Sequence, residues 1–593
     1  MGRLLIFGVL LISGVLLQGA GANAYIQHNL ISDEPGVADV TDPNLVNAWD
    51  IATTATSPFW ISSNGTGSAV VYSTANATPT IAVSMLKVSI PRGNSSTSKI
   101  GAPTGQIAND TSAFALTNGT KANFLFCTED GTISGWNSAA GDTAVIMVDN
   151  SSKGAVYKGC VLGGTASSPQ IYAANFNSGA VEIYDGNFAP VSLGTRAFTD
   201  SQIPAGFAPF NIVNLNGNLY VAYAKQDAAK QDEVSGPGYG YIDVYDMNGN
   251  LKTRLVAGGS LNSPWGMTIA PATNFGPFSG MLLIGNYGDG QINAYDPSTG
   301  ALKGAMFDTR GNPITIPCLW GLHVGNGSSG GDANAVYFAA APDNQQHGLF
   351  GSLQAGPVIS SSTVVNGASF LPGMAQKTWV TVFGANLAST KRMWTAADMA
   401  GGKLPVQLDG AGVTINGKSA YISYVSPTQI DALVAADLTL GPVKVTTANA
   451  GLISNSATVT MQNLDPAFFI SKNNYIAGFG ADNNTMIGPT TLFPNQSAPV
   501  KPGDQISLYG TGFGAGSTAI PDGVVTKNPI PISGVSVMIG GTTARVAAAN
   551  LVGPGLYQLN VIVPANTPNG DAAVIATVGN ATTQSGALIN VQQ

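Results

Sequence analysis

Charge is what this sequence has least of. Asp, Glu, Lys and Arg make up only 9% of its 593 residues, against about 25% in an ordinary soluble domain. The few charges sum to −8, with a pI near 4.8, and no cluster of Lys and Arg stands out. Binding to nucleic acid through phosphates is therefore excluded as a main role. Histidine is nearly missing too: His28, His323 and His347 are the full set. No Gly-x-Ser-x-Gly elbow accompanies them, so spacing builds no Ser-His-Asp nucleophile. The three cysteines, Cys127, Cys160 and Cys318, fit no zinc-ligand spacing. They read either as one disulfide plus a free thiol or as buried small apolar residues, and the strand contexts of Cys127 and Cys160 favour the second reading. Long apolar runs are absent except for Leu4 to Leu17, whose 14 residues fall short of the ~20 that cross a bilayer.

That run lies between Arg3 and the small-residue site Ala22-Asn23-Ala24, the layout of a secretory signal. Residues 1–24 are expected to be removed by cleavage after Ala24. The mature chain then starts at Tyr25, is secreted or held at the cell surface, and has no membrane span. No cysteine follows the apolar run, so a lipoprotein is not indicated.

What is present in quantity is repetition. An apolar strand, a polar turn and a second strand ending in an aromatic recur six times before residue 355. The first strands include Phe59 to Ser63, Phe124 to Thr128, Ile171 to Asn175, Leu219 to Lys225, Met281 to Asn286 and Val336 to Ala340; Tyr72, Trp136, Tyr184, Tyr245 and Tyr295 end the clearest partners. Strand pairs repeating at roughly 45 to 65 residues read as propeller blades. A second phrase opens each repeat, as in Asn47-Ala48-Trp49-Asp50, Ser263-Pro264-Trp265-Gly266 and Cys318-Leu319-Trp320-Gly321. It is expected to form the innermost strand, where glycine lets strands crowd around an axis. Tyr25 to Ser32 alternates as a lone strand ahead of the first repeat, while the sixth repeat runs short. Lending that strand to the last blade would close the ring and remove an open edge. The predicted fold is all-β: a six-bladed propeller over 25–353, a linker over 354–363, and β-sandwiches over 364–464 and 465–593.

The motifs Asp42 to Asn47, Thr128 to Trp136, Asn262 to Gly266 and His347 to Gly351 resemble a family of uncharacterised secreted bacterial proteins. That family is similar to six-bladed NHL-type and gluconolactonase-like propellers. In the tail, Val365 to Phe370, Phe383 to Ala388, Tyr509 to Gly514 and Gly555 to Val561 resemble the immunoglobulin-like, TIG-type C-terminal repeats of acidobacterial (Solibacter-type) secreted proteins. This likeness implies spacer or adhesive modules.

In a propeller the turns after the second strands emerge on one face. Asn64, Glu129, Asn175, Lys225, Asn286 and Asp343 are therefore expected around one mouth. The resemblance to gluconolactonase-like propellers implies a divalent cation there, with Glu129 and Asp343 as its carboxylates and calcium or magnesium suiting oxygen ligands. Tight turns also favour Asn and Asp for their own geometry. Three functions are expected in descending order: a secreted binding or scaffold protein for an extracellular polysaccharide or protein, a metal-dependent gluconolactonase-like hydrolase with Glu129 or His347 as base, and a structural envelope component.

Overall fold

The structure, a computed structural model, describes residues 23–74, 81–436, 438–526 and 528–593; nearly all of the expected signal segment lies outside them. The chain forms two compact units that divide between Ala355 and Gly356. Both are built of β-strands.

The first unit, Asn23–Ala355, is a propeller-like assembly in which the described residues form six sheets following one another along the chain, antiparallel except where Val40–Thr41 pairs parallel with Tyr25–Ser32 at the edge of the sixth. Their innermost strands are Ala48–Ala52, Pro103–Ala108, Tyr157–Thr165, Phe207–Leu215, Pro264–Ile269 and Leu319–Val324. Each of these packs on the next, and the sixth returns to the first. In the sixth sheet Leu349–Ala355 pairs antiparallel with Tyr25–Ser32, so the N-terminal strand supplies the missing outer position. Tyr25 and Ile31 are fully buried by this docking.

The second strands of the repeats read as nearly continuous apolar runs because both faces are covered. On Asn218–Lys225, Leu219 and Val221 pack towards the third sheet while Tyr220 and Ala222 pack towards the fifth. Burying such a side chain contributes about 1.5–3 kcal/mol, and an apolar cluster of this kind fills every gap between neighbouring sheets. Close approach of the inner strands is what requires glycine. A Cβ at Gly266 would lie 2.4 Å from the Trp320 carbonyl oxygen, and one at Gly321 would lie 2.7 Å from that of Trp49.

Cys127 and Cys160 are joined by a disulfide across 33 residues, tying the second strand of the second sheet to the inner strand of the third. This corrects the preference for two buried free cysteines. Both are buried as expected, but adjacent sheets bring them face to face, a contact that strand-by-strand reading does not reveal. Cys318 is free.

The second unit, residues 356–593, holds two apolar cores. One lies between the sheet of Val358–Asn366, Trp379–Ala385, Gln429–Leu433 and Tyr421–Ser426 and the sheet of Gly412–Ile415, Gly441–Asn449 and Ala457–Gln462. The other is centred on Gln505–Thr511, Leu556–Ile562, Val535–Ile539 and Gly570–Val578. A further cluster joins them through Trp379, Tyr421 and Leu433 on one side and Phe469 and Leu556 on the other. The stretch expected as a linker is not one: Val358–Asn366 is a strand paired with Trp379–Ala385. Its register shifts between Ile359 and Val364, so the Ser-rich centre that hides the periodicity is a bulge between two paired ends.

Candidate functional site

Every innermost strand carries a register shift near the end of its second strand, in five of them next to the pair made by that strand's last residue and in the fourth two residues further in. A bulge leaves a residue unpaired and re-aims its side chain. The six residues so placed are Trp49, Thr104, Lys158, Phe210, Trp265 and Trp320, all 0–1% exposed. The aromatic ones meet one another: Trp49 stacks on Trp320 at 3.7 Å between ring centroids, with Trp265 edge-on to both and Phe210 tilted against Trp320. They plug the axis of the first unit.

Lys158 breaks that aromatic layer. Its Nζ lies 5.4 Å from the Trp49 ring centroid and donates to Glu129 Oε1 at 2.5 Å and to Asp232 Oδ1 at 2.9 Å. Burial works against its charge, but attraction to Glu129, Glu233 and Asp232 outweighs that and holds the ammonium above its ordinary range.

From Lys158 a chain of hydrogen bonds runs round the ring. Glu129 Oε2 accepts from Asn64 Nδ2 at 2.9 Å, and Asn47 Nδ2 donates to Asn64 Oδ1 at 3.2 Å and to Gln345 Oε1 at 3.0 Å. Gln345 Nε2 donates to the Tyr287 hydroxyl at 2.9 Å. Two indoles brace the chain, with Trp320 Nε1 donating to Asn47 Oδ1 and Trp265 Nε1 to the Lys158 carbonyl. Tyr287 and Asp232 thus end a path that touches all six sheets, and Glu233 follows Asp232 in the same turn. Its charge acts on Lys158, Tyr287 and Cys318 alike. Burial pushes its carboxyl up to about 7, with Lys158 pulling the other way.

The six residues expected at the mouth separate by register. In each repeat one backbone N–H after the second strand donates to the carbonyl that precedes or opens the inner strand, and the donors are Asn64, Glu129, Phe176, Gln226, Tyr287 and Ala341. Asn64 and Glu129 are therefore in the ring. Asn175, Lys225 and Asn286 stand one residue earlier, which sends their side chains elsewhere. Asn175 donates to Glu182 at 2.7 Å, Asn286 to the Ser260 carbonyl at 2.8 Å, and Lys225 lies 4.4 Å over the Tyr239 ring. Asp343 begins a left-handed run with Asn344 and Gln345 at φ of 53°, 53° and 69°, a backbone costing roughly 1–2 kcal/mol per residue. Gln345, not Asp343, is the member of that turn that reaches the ring.

His347 is not at the ring either. Its Nδ1 is 2.9 Å from Asp33, and that hydrogen bond raises its pKa. His323 lies on the inner strand against Thr53 at 2.9 Å, with burial holding it down to about 4.

The sequence reading missed Lys158, Asp232, Glu233, Tyr287 and Gln345. Two signals were available: a lysine in the slot where other repeats carry Trp, Phe or Thr, and residues 226–240, the longest turn between second and third strands, which carry Asp232 and Glu233.

No family model matches the chain. It is 32% identical over 343 residues to one uncharacterised protein of Acanthamoeba polyphaga mimivirus, covering 56% of this chain and 80% of that protein. A second uncharacterised mimivirus protein is 32% identical over 345 residues, covering 56% and 86%. The chain belongs to the family of these viral proteins. The sequence resemblance was to bacterial proteins, whereas the members found here come from a giant virus, and no activity is named for them. Among solved structures, streptogramin B lyase shares 11% identity at a TM-score of 0.32, over 56% of this chain and 97% of that one. The soluble aldose sugar dehydrogenase of Escherichia coli shares 10% at 0.34, over 56% and 100%. Likeness at this level carries no inference about activity.

Proposed function

We propose that this is an exported binding or scaffold protein. Residues 25–353 form a six-bladed propeller whose mouth recognises an extracellular ligand, a polysaccharide or a protein, and residues 364–464 and 465–593 form immunoglobulin-like spacer modules. The six sheets with their returning N-terminal strand support the blade count, and the two apolar cores of the tail support the modules. The Cys127–Cys160 disulfide supports export, because such bonds persist in oxidising compartments.

The observation that carries the reading is the polar chain from Tyr287 to Asp232 across all six sheets. Its members hold one another in fixed positions over a packed aromatic floor, which is the preorganisation that recognition rewards. The metal-dependent hydrolase fits less well. Both Glu129 oxygens are engaged, by the Lys158 ammonium and the Asn64 amide, so an ion would meet a fixed positive charge beside its main ligand. Asp343 is not in the ring. Among the described residues no group of three or more His, Cys, Asp or Glu is placed to hold a metal ion. Calorimetry of the full chain against calcium and a panel of soluble glycans and peptides tests the reading. Binding weakened by Glu129→Gln supports a mouth site. A stoichiometric divalent ion that survives purification and is lost in Glu129→Gln would favour the hydrolase, and an absence of any ligand would favour a structural envelope role.

A further inference from the structure

We propose that the seam closing the first unit is a pH-sensitive latch, in which charged His347 clamps the segment after the N-terminal strand onto the turn of the sixth sheet and loss of that charge loosens the strand. The proposal does not depend on the mouth being a binding face.

The ring closes where three stretches meet: the end of Tyr25–Ser32, the turn between Val336–Ala340 and Leu349–Ala355, and the approach to the first inner strand. His347 stands at that junction. Its Nδ1 lies 2.9 Å from Asp33 Oδ2, its Nε2 lies 3.6 Å from Glu34 Oε1, and its carbonyl accepts from the Asn47 amide at 3.1 Å. Asp33 Oδ1 accepts from the Gly348 amide at 2.8 Å, so the two oxygens of one carboxylate hold consecutive residues of the turn. His28, on the closing strand itself, has its Nε2 2.9 Å from Asp39. Two of the three histidines in the chain thus lie along the seam, each against a carboxylate.

The turn that His347 ends is strained. Asp343, Asn344 and Gln345 are all left-handed, and such a run persists only where its surroundings hold it. It is held from two sides: the Gln345 side chain is bonded to Asn47 and Tyr287, and the His347 ring to Asp33. The closing strand is held unevenly as well. At its start the Tyr25 hydroxyl donates to the Phe275 carbonyl at 3.0 Å, whereas its last residues, Ile31 and Ser32, lie beyond a register shift from the rest of the pairing. The contact between Asp33 and His347 secures that second end.

The charges acting on His347 are acidic on both sides. Asp33 and Glu34 face it from the N-terminal segment, and Asp343 belongs to its own turn. Asp42, on the approach to the first inner strand, is turned away to the Tyr72 hydroxyl and the Asn44 amide. The hydrogen bond to Asp33 is the largest cause raising the His347 pKa, loss of solvent opposes it, and the charges of Asp33, Glu34 and Asp343 add to the rise. His323, the remaining histidine, is buried on an inner strand and held down to about 4, so it stays neutral where His347 changes charge.

The direction of the effect follows from that rise. Because the folded value lies above the ordinary 6.5, the contribution of the clamp is complete below 6.5 and is lost as pH climbs past the folded value. Burial also raises Asp50 and Glu233 to about 7 and Asp243 to about 6, so their ionisation weakens the first unit over an overlapping window. Those carboxyls titrate whether or not His347 is present. The difference between wild type and a His347 variant therefore isolates the latch.

The test is hydrogen exchange of the full chain at pH 5.5 and pH 8.5, read by mass spectrometry on the strand Tyr25–Ser32 and corrected for intrinsic exchange rates. Between the two pH values wild type is expected to lose about threefold more protection than His347→Asn, which keeps a donor near the Nδ1 position without the charge. Asp33→Asn removes the carboxylate instead. It is expected to show the same reduced pH dependence, which keeps the proposal testable should His347→Asn fold poorly. An equal loss of protection in wild type and both variants would assign the pH dependence to the buried carboxyls and overturn the proposal, as would a wild type whose protection does not fall.

Discussion

The two units of the chain differ in where they put paired charges. In residues 356–593 the buried Asp431 carboxyl is served by neutral neighbours on its own sheet, Thr381 Oγ1 at 2.7 Å and Gln429 Nε2 at 3.0 Å, and burial lifts it to about 6. The paired charges of that unit stay outside, as where Arg392 forks between Asp398 and Asp409 on a partly exposed face. In Asn23–Ala355 an ammonium is instead taken out of water at the centre, and charged groups from three successive sheets converge on it. Buried ion pairs are weak evidence of stability, because desolvation offsets much of the attraction. A fold that needed only stability would have placed another aromatic residue at Lys158, as it did at Trp49, Trp265 and Trp320. Under the proposed function, this contrast makes the first unit the part that would bind a ligand and the second its support.

That contrast can be broken experimentally, and the N-terminal strand offers the largest effect. A protein starting at Asp33 loses the partner of Leu349–Ala355 and with it buried Tyr25, Leu30 and Ile31. Its first unit should melt far below the wild-type temperature or aggregate through the exposed sheet edge. Residues 356–593, expressed alone, should still fold on their two cores. An unchanged melting curve for the truncated protein would remove the N-terminal strand from the closure.

Next comes Lys158→Ala, which strands Glu129 and Asp232 without their cation. The first unit should lose about 3–5 kcal/mol in chemical denaturation, the usual result of removing one partner of a buried pair. A loss below about 1 kcal/mol would mean that solvent already screens the ammonium.

Breaking the disulfide should cost slightly less. Its 33-residue spacing corresponds to about 3–4 kcal/mol of unfolded-chain entropy. Cys127→Ser, or reduction, should lower the stability of the first unit by that order. The second unit contains no cysteine and should be indifferent to reductant, so a common response of both transitions would contradict their independence.

The smallest effect is set by pH. The Glu233 carboxyl stands at about 7 in the folded protein against an ordinary value of 4.5, so folding favours its protonated form. Its cost to stability is absent below the ordinary value, grows as pH rises and is complete above about 7. Glu233→Gln should therefore melt higher than wild type at pH 8 and together with it at pH 4. An equal gain at both pH values would assign the effect to packing.

The repeats were legible because each strand is buried on two faces, which writes the architecture into continuous apolar runs. The site was legible only in part. Asn64 and Glu129 were identifiable, but Asn175, Lys225 and Asn286 were displaced by one residue of register, which no strand pattern specifies when both faces are apolar. Lys158 was hidden because bulges, not the alternation of a regular strand, aim the axial layer. Glu233 and Gln345 sit in irregular turns whose path depends on tertiary contacts. The Ser-rich strand Val358–Asn366 was hidden in the same way, by a bulge that breaks its period.

The claim that recognition belongs to the axial ring of the first unit is tested most directly by one comparative titration. The full chain, Glu129→Gln and Arg392→Ala would be measured by calorimetry against the same panel of soluble glycans and peptides. The account predicts that ligands binding wild type are weakened by about 1–3 kcal/mol in Glu129→Gln and are untouched in Arg392→Ala. Binding that survives Glu129→Gln and disappears in Arg392→Ala would place recognition in the second unit and contradict the account.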